Sequence, residues 1–481
     1  MKKMKRIFLP IILVLTTFGC TSELDLLPLN TVTEPTFWKT SDDAITAVNG
    51  VYNTLADNYQ YRDFFIHSDA ITNNGYSQYT FNSYLEMSDG SGFDSSSSIP
   101  TQVWNRCYEG IVRANRVIAN IPDIEMDANL KNRLLGESRF LRALFYSTLI
   151  NLYGDVPLIL EIQSIEESLV SRTAKSEVIA QILDDLNFAE TNLPSSYTSN
   201  DIGRATTAAA IGLKSRVYLY DQQYGSVIIE ANKFGTMGYD LVEAEQFSDM
   251  FLPTLENNNI ESIFEVQFLG QSGVANVGSM FNQNSGTLKV FGSSVFSPVQ
   301  ELVDIFDEDD IRLSATVLRP GDLFGEETYD GVNSPTTYAY KKFVTPDPSV
   351  TTDGDANFVV MRYAEILLNL AEAENELNGP DDAYAPINKI RNRAGLDDLP
   401  IGLTKEQMRD AIKLERRKEL AFEGHHYFDL LRYGAEDLKE AMESVTSVVG
   451  HTRVFQDRFT LWPIPQPQIN INPNLEQNPG W

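Results

Sequence analysis

The stretch M-R-Y-A-E-I-L-L-N-L-A-E-A-E-N-E-L-N-G-P-D-D-A-Y-A-P-I-N-K-I-R-N-R-A-G, Met361 to Gly395, decides the reading of the fold. Ala364, Leu367, Leu368 and Ala371 recur at the three- and four-residue spacing that lines up one face of a helix. Asn378-Gly379-Pro380 then ends that helix and opens another, because glycine suits the position after a last turn and proline the first position of a new one. The spacing resumes at Ala383, Ile387 and Ile390, and the small side chains of Ala364, Ala371 and Ala373 leave room for a second helix to pack closely. Two helices joined by so short a turn form an antiparallel hairpin of the tetratricopeptide kind.

Outward from this hairpin the same spacing predicts helices over Asp42–Tyr59, Pro100–Ile121, Lys131–Tyr153, Lys175–Leu193, Thr206–Asp221, Val359–Leu377, Ala383–Ala394 and Lys405–Tyr433. No strict 34-residue period runs through them. The expected fold class is therefore all-α, a tetratricopeptide-like helical hairpin scaffold with long loop-rich insertions and minor β-strands. Two stretches depart from helical spacing, near residues 57–98 and 238–357. The first is dense in Tyr, Phe, Asn and Ser, and the second opens on the alternating strand Ser262 to Phe268. Insertions of this length are more often functional than accidental.

The chain has 481 residues, 42% apolar and 11% aromatic, which is a globular composition. Its formal charge of −29 repels phosphate, so nucleic acid is not an expected partner. The basic start Met1 to Arg6 and the apolar run Ile7 to Gly19 are too short to span a bilayer and have the proportions of a signal peptide, so residues 1–19 are expected to be removed. The run ends at Gly19-Cys20, a small residue before cysteine, which predicts lipidation of Cys20, although Thr17 and Phe18 depart from the commonest pattern there. A diacylated Cys20 would anchor the protein to a membrane surface. The only other cysteine, Cys107, then has no disulfide partner, and it shares a helical stripe with Trp104, Ile111 and Ala114 that predicts a small core residue.

The segment Glu415 to Gly434 raises the prospect of an active site, since Glu415, Glu419 and Glu423 form a column at four-residue spacing beside His425 and His426. Against this, arginines crowd the same stretches (Arg391, Arg393, Arg416, Arg417 and Arg432), the histidines are adjacent rather than one turn apart, and no H-E-x-x-H occurs. The column therefore predicts architecture, with no catalytic residue, metal ligand or cofactor assigned. There is also no G-x-S-x-G elbow, P-loop or G-x-G-x-x-G. Carboxylate pairs for glycoside hydrolysis stay open, because only their separation in space is diagnostic.

Eight landmarks in order carry a resemblance: F-W-K-T-S-D-D-A (Phe37–Ala44), W-N-R-C-Y-E-G-I-V-R-A-N-R-V-I (Trp104–Ile118), E-S-R-F-L-R-A-L-F-Y-S-T-L-I-N-L-Y-G-D-V-P-L (Glu137–Leu158), G-R-A-T-T-A-A-A (Gly203–Ala210), R-Y-A-E-I-L-L-N-L-A-E-A (Arg362–Ala373), I-R-N-R-A-G-L (Ile390–Leu396), E-R-R-K-E-L-A-F-E-G-H-H-Y-F-D-L-L-R (Glu415–Arg432) and the terminal L-W-P-I-P-Q-P-Q-I-N-I-N-P-N-L-E-Q-N-P-G-W. The chain resembles the SusD/RagB family of outer-membrane nutrient-binding lipoproteins. That resemblance implies one SusD-like domain over residues 20–481, lipid-anchored in the outer membrane and exposed at the cell surface. It further implies capture of oligosaccharides and their delivery to a SusC-like TonB-dependent transporter, without catalysis. A peptide cargo and a surface glycoside hydrolase are the alternatives.

Sugars present flat C–H faces ringed by hydroxyls, so a site for them needs an aromatic ring for stacking and amide or charged side chains for hydrogen bonds. Ser68 to Asn82 offers both: Tyr76, Tyr79 and Phe81 as platforms, Asn73 and Asn74 as polar partners. Phe291 and Tyr329, with Tyr338, are further candidates in the second insertion. Trp38, Trp104 and Trp462 are expected in the core, and Pro463 to Pro467 in an extended C-terminal segment wrapped on the body.

Overall fold

The computed structural model describes residues 37–80, 83–164, 166–253, 257–270, 277–285, 294–332, 334–346 and 352–481. The signal segment, Cys20, Phe81 and Phe291 lie outside the described residues.

The scaffold helices are α1 Ser41–Tyr52, α2 Ser98–Asn120, α3 Ala128–Tyr153, α4 Lys175–Asn192, α5 Thr207–Tyr220, α6 Tyr224–Lys233, α7 Tyr363–Leu377, α8 Pro380–Arg393, α9 Lys405–Glu419, α10 His426–Tyr433 and α11 Ala435–Ser444. From α1 to α8 each packs on the next, as expected of stacked hairpins. Local chemistry starts several of them. Thr40 and Asp43 form a reciprocal capping box at α1, and Thr404 and Gln407 another at α9. The α2–α3 contact is close because Gly110 has no side chain: a Cβ there would lie 2.2 Å from the Phe145 ring.

Helices α6 and α7 pack together although residues 234–362 separate them in sequence, so that insertion leaves the stack and returns to it. Its neck is a ladder in which β2 (Ser262–Val266) pairs antiparallel with β8 (Phe358–Arg362). The remaining strands are two-residue pieces. β1 (Gly75–Tyr76) pairs with β3 (Ser297–Pro298), β4 (Val317–Leu318) with β7 (Ala339–Tyr340), and β5 (Leu323–Phe324) with β6 (Glu327–Thr328). The β1–β3 pair joins the two loop-rich insertions to each other.

Three expectations need correcting. The helix expected from Val359 starts at Tyr363, because the buried run Phe358 to Met361 pairs with β2. The single helix expected over Lys405–Tyr433 breaks between Glu419 and His426. Phe422 and Gly424 there take φ of +65° and +76°, and the Phe422 N–H donates to the Asp69 carboxylate (2.9 Å) instead of to a helical carbonyl. Helix α6 was not foreseen, since its ten residues follow directly on the turn at Asp221 to Gln223.

The main core draws on residues from Ala44 to Leu475. Trp104 and Trp462 are buried, and Trp38 is half-buried against the core. Trp462 donates Nε1–H to the Tyr427 hydroxyl (2.7 Å), while Asn478 ties the tail to the carbonyls of Tyr153 and Trp462. The C-terminal segment thus lies against the body. Among the described residues no helix is long and apolar enough to cross a membrane.

Candidate ligand-binding loop and its supporting charge network

Glu415, Glu419 and Glu423 are buried, and every one of their carboxylate oxygens meets a cation. Glu415 pairs with Arg312 (2.5 Å) and Arg391 (3.1 Å). Glu419 pairs with Arg362 (2.6 Å), Arg312 (3.1 Å) and Arg393. Glu423 pairs with Arg362 (2.6 Å) and Lys342 (2.7 Å). Glu261 on the insertion's neck completes the set through Arg362 (2.6 Å) and Arg393 (3.2 Å). Burial opposes ionisation of Glu419, but the guanidiniums of Arg393, Arg362 and Arg312 hold it well below the usual carboxylate range. Burial likewise opposes ionisation of Glu423, which Arg362 and Lys342 keep below that range. A carboxylate so fully engaged is a poor proton acceptor.

The histidines fit the same picture. Burial lowers His425 to about 4 and His426 to about 3, so both rings are neutral near neutral pH. Among the described residues no group of three or more His, Cys, Asp or Glu could hold a metal ion. Cys107 is fully buried, and burial pushes its thiol up to about 12. Of the arginines expected in the network, Arg391 and Arg393 belong to it, whereas Arg416 and Arg432 pair with Asp429 (3.0 and 2.9 Å). Arg417 instead grips the candidate loop. The central cations Arg312, Lys342 and Arg362 were missed, because they reach the column from the insertion and no local spacing connects them to it.

The loop itself divides. Asn74 is fully buried, giving its amide N–H to Asp69 (3.1 Å) and accepting at Oδ1 from Arg417 Nε (2.8 Å). Asn73 is half-buried, with its Oδ1 2.8 Å from His426 Nε2. Tyr76 is 1% exposed, packed among Val299, Val445 and Val448, with its hydroxyl 2.8 Å from His451 Nδ1. Its expected role as a stacking platform is therefore corrected: strand pairing in β1 turns the ring inward. Tyr79 is 38% exposed and does present a ring at the surface. Tyr329 is buried behind the β5–β6 hairpin, its backbone bonded to Asp322, and it too offers no open face.

A groove of about 650 Å³ lies between the α2 face carrying Tyr108, Val112 and Arg116, the residues Pro157, Ile159 and Leu169, and the C-terminal residues Gln468 and Ile471. It joins three segments far apart in sequence, and sequence reasoning gave no signal for it.

Two family models account for most of the chain. One, described as starch-binding and associating with the outer membrane, matches residues 28–219. The other, described as the SusD family, matches residues 260–481. The chain belongs to the SusD family. Among its SusD relatives, SusD-like protein P2 of Formosa agariphila is 28% identical over the full length of both chains. The starch-binding protein SusD of Bacteroides thetaiotaomicron is 25% identical over 73% of each. A crystal structure of a SusD-like protein from Bacteroides fragilis superposes with a TM-score of 0.83 at 27% identity, covering 95% of this chain and 100% of that one. A laminarin-binding SusD-like protein does so with a TM-score of 0.78 at 25% identity, covering 92% of this chain and 100% of that one. The fold is mostly helical, as expected, and the names of two of these proteins, starch-binding and laminarin-binding, are those of carbohydrate binders.

Proposed function

We propose that this protein is a surface lipoprotein of the outer membrane, anchored at Cys20, that binds oligosaccharide nutrients and delivers them to a SusC-like TonB-dependent transporter. Residues 20–481 act as one SusD-like domain in this reading. The observation that carries it is the match of the two family models, over residues 28–219 and 260–481, the first described as starch-binding and associating with the outer membrane. The ligand surface is placed at the loop ending in Tyr79, the aromatic of that loop exposed among the described residues, with Asn73 at its edge and Phe81 and Phe291 as further platforms. Tyrosine suits such a surface because a broad apolar face comes with few rotatable bonds and a hydroxyl.

The test is calorimetric titration of the purified protein with starch-derived and laminarin-derived oligosaccharides, followed by separation of the sugars after long incubation. Saturable binding with the sugars intact supports the reading. Shorter products would make the protein a glycoside hydrolase, and binding of mixed peptides with no sugar would move the cargo to peptide.

A further inference from the structure

The buried Arg453 and the part-buried Arg417 bond to uncharged oxygens, unlike the arginines of the ion-pair networks. Arg142 pairs with Asp185, Arg216 with Glu365, Arg416 with Asp429 and Arg432 with Glu372. Neither Arg417 nor Arg453 forms an ion pair among the described residues, and burial lowers both to about 10. Desolvating a guanidinium without a carboxylate is unfavourable, so its hydrogen bonds must matter to the fold or to the site.

Those bonds converge on four consecutive residues. Arg453 donates Nη1–H to the Thr72 carbonyl and Nη2–H to the Gly75 carbonyl, each at 2.5 Å. Arg417 donates Nη2–H to the Asn73 carbonyl (2.5 Å) and Nε–H to the Asn74 side chain (2.8 Å), and reaches the Glu301 carbonyl (3.1 Å). The remaining carbonyl, that of Asn74, accepts from Val299 N–H (3.1 Å). Every backbone carbonyl from Thr72 to Gly75 is thus held by a donor distant in sequence. At Gly75 a Cβ would lie 2.1 Å from the Phe296 ring, so the turn also presses directly on β3's neighbour. Four residues later the chain places Tyr79 at the surface, its N–H on Ser77 Oγ (3.3 Å).

We infer that Arg417 and Arg453 are positioning residues that hold the Thr72–Gly75 turn in its ligand-ready conformation, so that Tyr79 is presented already ordered. The inference rests on the proposed role of this loop in ligand binding. A loop fixed before binding loses less conformational freedom when the sugar arrives, which raises affinity without a new contact. Lysine keeps the charge but lacks the fork that spans two acceptors.

The test combines hydrogen–deuterium exchange with calorimetry on Arg417→Lys, Arg453→Lys, Tyr79→Ala and a control, Ile182→Ala, which removes a buried side chain of α4 instead. The probes are maltoheptaose and laminarihexaose, using whichever binds the wild type. The arginine variants should exchange residues 72–79 at least tenfold faster and bind at least tenfold more weakly, while Ile182→Ala melts earlier with wild-type loop exchange and affinity. Exchange of residues 72–79 unchanged in both arginine variants overturns the inference. So does faster exchange with full affinity. If Tyr79→Ala then weakens binding, only the positioning role has failed; if Tyr79→Ala also binds fully, the loop itself is not the ligand surface.

Discussion

Glu419 shows what a single residue does here. It holds three arginines that come from different parts of the chain, Arg312 and Arg362 on the insertion and Arg393 at the end of α8. Removing it takes away the carboxylate these three buried guanidiniums share and leaves them to their other carboxylates, Glu415, Glu261 and Glu423 among them. Glu419→Ala should therefore cost about 3–5 kcal/mol of stability, read as a lower melting temperature; a variant that melts normally while losing a hydrolytic activity would return the column to catalysis. Tyr79 makes the opposite prediction. Its ring is at the surface, so Tyr79→Ala should leave the melting curve unchanged and weaken oligosaccharide binding by about 1–3 kcal/mol, roughly five- to 150-fold in Kd. Unchanged affinity would shift attention to the second insertion. Tyr76 was indistinguishable from Tyr79 by residue type and neighbourhood, and only the β1–β3 pairing sorts one inward and the other outward.

At the scale of elements, the break between α9 and α10 is the feature that helical periodicity concealed. Apolar and charged residues keep helical spacing through it, and its single glycine is tolerated in many helices. The turn is held from outside: Asp69 takes the Phe422 N–H, and Phe65 packs where a side chain on Gly424 would stand, 2.9 Å from the position of a Cβ. Gly424→Ala must adopt a left-handed conformation and displace Phe65, so it should destabilise by more than about 1 kcal/mol in denaturant melts. If the variant is as stable as the wild type, the turn is less constrained than these contacts imply. The turn matters to the site because it lets α9 present Arg417, and α10 present His426, to the same loop.

For the whole molecule, buried titrating groups set the response to acid. His425 and His426 are held down at about 4 and about 3, below their value in an unfolded chain near 6.5, so as pH falls through 6.5 the unfolded state takes up protons that the folded state refuses. Each such proton lowers stability by about 1.4 kcal/mol per pH unit. Asp69 works the other way: burial raises it to about 6, and the folded state binds its proton first. Burial also raises Glu137, Asp185 and Glu265, so these carboxyls offset the two histidines between about pH 6.5 and 4.5, and the decline sets in below about pH 4.5. Stability should decline further below pH 4 as Glu419, Glu423 and Asp429, all depressed in the fold, become protonated in the unfolded chain. Denaturant midpoints measured from pH 7 to 3 check this, and a maximum near pH 4 would refute it. The proposed anchor is tested at the same scale. Fatty-acid label should enter the wild type and not Cys20→Ala, and gentle detergent extraction of native membranes should release a barrel-sized transporter with the protein.

The sequence by itself determined the helical stack and the family. Both rest on local information, the three- and four-residue spacing of apolar side chains, capping pairs such as Thr404 and Gln407, and ordered landmarks that survive without knowledge of any contact. It also marked the Glu415, Glu419 and Glu423 column as architecture, since the local surplus of arginine was visible. The tertiary structure alone decided which cations complete that column, because Arg312, Lys342 and Arg362 lie more than fifty residues away and arrive only when the neck formed by β2 and β8 closes. It alone decided which loop aromatics face solvent. Side chains of identical type two or three residues apart are sorted by pairing with a distant strand, and no property of the residues themselves records that pairing.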